Sequence, residues 1–187
     1  MTDVSLVLRR CGAAFAFVLA ASAPSAMAAE KLITFDAPAS VTCIGQCEDG
    51  EALEKAVQRA GVEPKFDNKF DVKDFEDTKT LFLTIGAAPN VDVKNEIARA
   101  NRLIDEAGKE KAQVVIVQIT ARQASDTATE QLLKAVVPRA NVIITIPDVD
   151  PDGMIQKMAD AGGIPLRSAK SKTFLPELIK AAFGSGT

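Results

Sequence analysis

Hydrophobic residues fall into two patterns along this chain, short continuous apolar runs and longer stretches with helical spacing. The runs predict strands at 40–44, 62–67, 80–85, 113–119, 141–146 and 164–167, with a lead-in edge strand at 31–35. Pro64 cannot donate a ladder hydrogen bond, so the strand at 62–67 is expected at an edge. The run at 113–119 is almost uninterrupted, which is typical of a central parallel strand covered on both faces.

Between the strands, apolar residues recur three and four positions apart and predict helices at 49–60, 91–111, 126–137, 153–161 and 173–183. In the longest helix the predicted buried stripe is Val93, Ile97, Ala100, Ile104 and Ala107. Strands that alternate with helices indicate a parallel sheet with helices on both faces. We therefore predict one three-layer α/β domain with five to six mostly parallel strands, flavodoxin-like or Rossmann-like. The sequence does not determine the strand order, and the doubly wound order 2-1-3-4-5 is assumed in placing a site.

The stretch from Ser40 to Asp49 reads as a strand, a tight turn at Gly45 and the start of a helix. In a doubly wound sheet, a crevice opens where the strand order reverses, here between the first and third strands. Both loops there enter helices, whose free N–H groups favour an anion. Arg122, after the next strand, is the expected side-chain cation. The predicted ligand-binding residues are Gly45, Gln46, Cys47, Gly86, Asn90 and Arg122.

The first 28 residues have the features of a secretory signal peptide. Arg9 and Arg10 precede an apolar segment at 11–21, which is too short to span a bilayer, and Ala26-Met27-Ala28 is an A-x-A cleavage site. General export is therefore favoured over a membrane anchor. Cleavage leaves 187 − 28 = 159 residues at 29–187, enough for a single domain. We expect a periplasmic or secreted protein.

The amino-acid composition excludes more classes of chemistry than the motifs do. The chain has no His, Trp or Tyr, which excludes His-based nucleophile pairs and His-ligated zinc. The signal segment carries a net charge of +1, so the net charge of the mature chain is −3 − 1 = −4. This charge and the lack of a basic run argue against nucleic acid and anionic membranes as partners. No G-x-G-x-x-G or Walker sequence is present, and we assign neither a cofactor nor catalytic residues.

Cys43 and Cys47 form a C-x-x-x-C pair in a chain expected in an oxidising compartment. Four-residue spacing across a turn can bring two Cα atoms within bridging range, so one interpretation is a structural disulfide. The other is a thiol redox or soft-metal site at a helix N-terminus, where a thiolate is stabilised. The sequence leaves both open.

The acidic loop at 148–153 resembles the front half of a calcium-binding loop. Asp148, Asp150 and Asp152 occupy ligand positions one, three and five, and Gly153 occupies position six. Ala159 stands where the bidentate Glu of such a loop is expected. The alternative is a strand-to-helix turn in which Asp152 caps the next helix.

Several segments together resemble one protein family: V-T-C-I-G-Q-C, T-L-F-L-T-I-G, R-Q-A-S-D, N-V-I-I-T-I and D-G-M-I-Q-K-M-A. The chain resembles an uncharacterised family of exported bacterial α/β proteins, a domain of unknown function, from about Pro38 to Phe183. The resemblance implies export and an α/β fold, and it implies no reaction.

Three classes of function remain after these exclusions. The first is a binding domain that holds a small, anionic ligand at the carboxyl ends of the strands. The second is a redox or metal-handling protein that uses Cys43 and Cys47. The third is a structural or interaction domain without a ligand.

Overall fold

The computed structural model describes residues 33–123 and 126–184. The predicted signal peptide lies outside the described residues, as do the first two residues of the predicted lead-in strand.

Six parallel strands form a single sheet in the part of the chain that is described. They are β1 (Ala39–Ile44), β2 (Lys65–Phe66), β3 (Thr80–Ile85), β4 (Gln113–Gln118), β5 (Val142–Thr145) and β6 (Leu166–Ser168). The strand order is β2-β1-β3-β4-β5-β6, which is the order assumed from doubly wound sheets with the short last strand added beside β5. The order reverses between β1 and β3, which pair in register from Ala39 with Thr80 to Ile44 with Ile85.

Among residues 33–123 and 126–184, five α-helices connect or follow the strands, close to their predicted positions. They are α1 (Asp49–Arg59), α2 (Val93–Glu110), α3 (Thr127–Val136), α4 (Met154–Gly162) and α5 (Leu175–Gly184). Pro138 lies in a 3-10 turn, Val137–Arg139, directly after α3, because a proline cannot continue the helical hydrogen-bond ladder. Within the described ranges, no helix has both the length and the apolar character needed to cross a membrane.

The sheet separates two hydrophobic cores, and each has its own set of helices. Side chains of α2, α3 and α4 pack on one face, where Leu103, Leu132 and Ile155 are buried. On the other face α1 and α5 pack, with Leu53 and Ile179 buried against the sheet. Helices on both faces of a parallel sheet confirm the predicted three-layer α/β fold.

Two predicted edge strands differ from the structure. Residues 33–35 form no strand: the Phe35 N–H group donates to the Ala182 carbonyl at 3.1 Å, and the Phe35 ring packs edge-on against Phe82. The contact with α5 therefore takes the place of strand pairing. The strand predicted at 62–67 is only two residues long in the structure, Lys65–Phe66. It begins directly after Pro64 and lies at the edge of the sheet.

Candidate functional site

An open crevice of about 640 Å³ lies at the carboxyl ends of β1, β3 and β4, where the strand order reverses. Its described lining comes from the loops after these strands and from the first turn of α3. Four of the six predicted ligand-binding residues line it: Gln46, Cys47, Gly86 and Arg122. The other two lie outside the lining. Gly45 is buried beneath it, and Asn90 is an exposed loop residue with a positive φ of 62°.

The loops after β1 and β3 touch through their glycines. The Ala88 N–H group donates to the Gly45 carbonyl at 2.9 Å, and the Gly86 N–H group donates to the Ile44 carbonyl at 3.0 Å. Gly45 has a φ of +98°, and a Cβ at that position would overlap the carbonyl oxygen of Gly86. Glycine is therefore required here both for the backbone conformation and for the close contact between loops.

A buried ion pair on α2 holds the loop after β1 in place. Glu96 is 6% exposed and accepts hydrogen bonds from the Gly45 N–H group at 2.8 Å and from Gln46 Nε2 at 3.2 Å. Arg99, 7% exposed, donates from Nη2 to Glu96 at 2.6 Å. Burial raises the pKa of Glu96, but the bonds from Arg99 and Gly45 outweigh that effect, so its pKa lies below the usual value.

Arg99 also joins two further chain segments to this pair. Its Nη2 donates to the Cys43 carbonyl at 2.6 Å and its Nη1 donates to the Phe70 carbonyl at 2.8 Å. Glu96 and Arg99 are not among the site residues predicted from the sequence. A signal was present, because two charged residues three positions apart lie beside the apolar stripe of α2, where a charge must be paired if it is buried.

Cys43 and Cys47 form a disulfide, with their Cα atoms 5.7 Å apart. This confirms the disulfide interpretation of the C-x-x-x-C pair. Cys43 is fully buried in β1, whereas Cys47 is partly exposed and lines the crevice. Gly86 leaves room for the bridge, since a Cβ at that position would lie 3.2 Å from the Cys47 Cβ. The disulfide therefore forms part of the crevice wall.

Gln118, at the end of β4, lines the crevice while remaining only 2% exposed. Its Nε2 donates to the carbonyls of Ile85 at 3.0 Å and Thr120 at 2.9 Å. These two acceptors fix the amide orientation, since a flipped amide would set oxygen against oxygen. The buried Oε1 has no donor among the described residues. Gln118 is not among the site residues predicted from the sequence, although a polar residue inside a buried apolar run requires hydrogen-bond partners.

The premise that free N–H groups face the crevice from both loops is wrong for most of the loop residues. In the loop after β1, the Gly45 N–H group donates to the Glu96 carboxylate and the Cys47 N–H group donates to Cys43 Sγ. In the loop after β3, the Gly86 N–H group donates to the Ile44 carbonyl, the Ala87 N–H group to Thr129 Oγ1 and the Ala88 N–H group to the Gly45 carbonyl. The next helix, α2, is capped by its own Asp92 carboxylate. Loop packing has therefore used these donors, whereas α1, whose N-cap residue Glu48 lines the crevice, has no side-chain cap on its first N–H groups.

The charge of the crevice is also less favourable to an anion than the sequence indicated. The charged residues of its described lining are Arg122, Glu48, Asp49 and Asp126, a formal sum of +1 − 3 = −2. The Arg122 side chain is only 10% exposed, and its guanidinium pairs with two carboxylates on the α3 and α4 side, including Asp152. Its positive charge is thus already balanced within the protein.

The aspartates of the acidic loop bind the start of α4 rather than one another. Asp150 accepts from the N–H groups of Ile155 at 3.0 Å and Gln156 at 2.9 Å, while Asp152 pairs with Arg122. Within the described ranges, no group of three acidic or cysteine side chains is placed to hold a metal ion. The structure therefore offers a helix-capping turn at this loop and no support for the calcium prediction.

Comparison with known proteins gives one match. Residues 36–183 match the family described as a domain of unknown function, DUF6305. This span is well over half of the chain, so the chain belongs to the DUF6305 family. The search of curated proteins and the search of solved structures found no match.

Proposed function

We propose that this DUF6305 member is an exported binding domain that holds a small polar ligand in the crevice at the carboxyl ends of β1, β3 and β4. The observation that carries the proposal is an open crevice whose described lining has more polar than apolar residues, Gln46, Gln118, Thr120 and Gln123 among them.

The size, position and rigidity of the crevice support binding. Its volume of about 640 Å³ lies within the usual range for small-molecule sites, about 300–1,000 Å³. It lies at the reversal of strand order, where open α/β sheets bind ligands. The side of the crevice formed by the loop after β1 is held in place by the disulfide and by the ion pair of Glu96 and Arg99. A wall fixed in this way loses little conformational entropy when a ligand binds.

The carboxylates around the crevice favour binding over a reaction. Asp49 accepts from the Thr120 hydroxyl at 2.8 Å, and Asp126 accepts from the Thr129 N–H group at 2.9 Å. Both therefore have structural partners. Export is supported by the amino-terminal sequence, with its two arginines, apolar segment and A-x-A site.

Thiol exchange is the second candidate, because the partly exposed Cys47 lines the same crevice. Its neighbours Glu48 and Asp49 oppose it, since nearby negative charge disfavours the thiolate that exchange requires. The burial of Cys43 further restricts access to the bridge. We therefore rank exchange behind ligand binding.

Binding is tested by NMR titration of the mature protein with four probes: ethanolamine, acetate, inorganic phosphate and glucose. We expect at least one probe to shift the backbone amide signals of Gln46, Gly86 and Ala87 at the crevice. Signals from Gly108 and Lys111, at the C-terminal end of α2 just before β4, serve as the internal control and should not move. If none of the probes shifts the crevice signals, the binding proposal is rejected.

Export is tested separately by amino-terminal sequencing of protein recovered from outside the cytoplasm. We expect the mature chain to begin at Ala29. Recovery of the full-length chain from the cytoplasm alone would contradict this.

A further inference from the structure

We propose that Cys47 is a reversible thiolation site, at which a small, positively charged thiol opens the Cys43–Cys47 bridge and forms a mixed disulfide. The inference goes beyond the proposed function, in which the bridge serves only as part of the crevice wall, and it does not depend on that function.

The first argument is access, which differs between the two cysteines. Cys43 is fully buried in β1, whereas Cys47 is partly exposed and lines the open crevice. A thiol that enters the crevice therefore reaches the bridge from the side of Cys47. Because attack on one sulfur of a disulfide releases the other, Cys47 is the sulfur attacked and Cys43 is the sulfur released.

The second argument is the surroundings of the released sulfur. The Cys47 N–H group donates to Cys43 Sγ at 3.0 Å, so a donor already faces the atom on which negative charge develops. After protonation, the Cys43 thiol can donate to the Ile44 carbonyl, which lies 3.5 Å from its sulfur. Both forms of the released Cys43 therefore have a partner in the folded protein.

The step is balanced without an added oxidant or reductant. The thiolate of the small thiol attacks Cys47 Sγ, and the bond between the two cysteine sulfurs breaks. Its electron pair goes to Cys43 Sγ, which takes up the proton that the small thiol has lost. One disulfide bond replaces another, and the product is a mixed disulfide at Cys47 with a free thiol at Cys43.

The third argument is charge, which selects the class of thiol. Glu48 and Asp49 directly follow Cys47, and the charged residues of the described lining sum to −2. Arg122, the one cation of that described lining, is paired with two carboxylates. An anionic thiol such as mercaptoacetate is therefore repelled, whereas cysteamine, which carries an ammonium group, is attracted. The mixed disulfide also keeps Cys47 from becoming a thiolate, which these carboxylates disfavour.

The fourth argument is reversibility. Glu96 holds the Gly45 N–H group at 2.8 Å, and Arg99 donates to the Cys43 carbonyl at 2.6 Å. Neither bond involves a sulfur atom, so both hold the loop after the bridge opens. Cys43 Sγ thus stays beside Cys47, where it can expel the small thiol and restore the bridge.

Two matched variants, each with one of the two thiols, test the position of thiolation. Cys43→Ser and Cys47→Ser are treated with cystamine, the disulfide of cysteamine, and the adduct is followed by mass spectrometry. Because Cys43 is buried, we expect Cys43→Ser to be thiolated at least about tenfold faster than Cys47→Ser. Equal rates, or faster thiolation of Cys47→Ser, would overturn the proposal.

The wild type decides the position if either variant does not fold. The mature protein is treated with cysteamine, exchange is stopped with acid, and the adduct is assigned to one cysteine by peptide fragmentation. We expect it on Cys47. An adduct found mainly on Cys43, or on neither cysteine, would overturn the proposal.

The class of thiol is tested on Cys43→Ser with cystamine and with the anionic disulfide dithiodiglycolate. Mercaptoethanol treated with the same two disulfides is the reference, which removes their difference in intrinsic reactivity. Relative to this reference, we expect cystamine to react at least about tenfold faster than dithiodiglycolate, with a smaller difference at high salt. A ratio equal to that of the reference would overturn the positive charge assigned to the thiol.

Discussion

Replacing Glu96 by glutamine tests whether the buried ion pair on α2 holds the loop after β1. The substitution keeps the size of the side chain and removes its charge. It leaves the Arg99 guanidinium, 7% exposed, without the carboxylate that lies 2.6 Å away in the wild type. It also weakens the acceptor for the Gly45 N–H group, which fixes the turn at the crevice wall.

The expected loss of stability follows from burial. Breaking a buried ion pair by removing one partner costs about 3–5 kcal/mol, because the remaining charge stays buried. Arg99 keeps its bonds to the carbonyls of Cys43 and Phe70, so we expect the lower end, about 3 kcal/mol. For a domain of this size, that corresponds to a fall in Tm of about 6–12 °C.

The assay is urea unfolding at pH 7 and again at lower pH. Because the pKa of Glu96 lies below the value of 4.5 for a free glutamate, its ionised form stabilises the folded state above about pH 4.5. That stabilisation is lost as the pH falls through the folded-state pKa. The free-energy difference between the wild type and Glu96→Gln should therefore shrink in acid.

Glu106→Gln is the matched control on the same helix. Glu106 pairs with Lys109 at 2.7 Å with the same three-residue spacing, but the Lys109 side chain is 70% exposed. An exposed pair contributes about 0–1 kcal/mol, so this variant should remain close to the wild type. The reasoning is refuted if Glu96→Gln loses less than about 1 kcal/mol, or no more than Glu106→Gln does.

Three further substitutions test other contacts by urea unfolding. The double variant Cys43→Ser, Cys47→Ser should still fold and lose about 2 kcal/mol, because the disulfide closes a short loop; an unfolded variant would contradict this. Gly45→Ala should lower the free energy of unfolding by about 2–4 kcal/mol, clearly more than Gly61→Ala does. Gly61 has a φ of +93°, similar to that of Gly45, but an added Cβ there would have nothing within 4 Å. Thr129→Val should lose about 1–3 kcal/mol, since it removes the acceptor of a loop N–H group at 2.8 Å; a change under about 0.5 kcal/mol would show that the bond is replaced.

The fold could be predicted from the sequence because it depends on local patterns. A strand buried on both faces of a parallel sheet must be largely apolar along its length, as β3 and β4 are. Such a strand can be recognised in the sequence as a continuous apolar run. The sequence predicted too long a second strand, because apolar character alone does not show how many residues find a pairing partner. Only Lys65 and Phe66 pair with β1.

The position of the candidate crevice also followed from the sequence, through the strand order assumed for a doubly wound sheet. The residues that hold it did not. Glu96, Arg99 and Gln118 each interrupt an apolar pattern, and such interruptions indicate that partners are needed without identifying them. Two of the partners of Glu96, Gly45 and Gln46, lie on the loop after β1, about fifty residues earlier in the chain.

The sequence by itself determined the order of the elements, the three-layer fold, the edge of the sheet where a crevice opens and a cysteine spacing compatible with a bridge. Only the tertiary structure decided which polar groups at that edge remain available. Arg122 reads as a free loop cation in the sequence, yet packing brings it to Asp152, thirty residues away. The physical reason is the distance along the chain over which each feature is determined. Burial patterns repeat every two residues in strands and every three to four in helices, so they can be recognised locally. The partner of a charge or of an N–H group depends on packing between segments that are distant in the sequence.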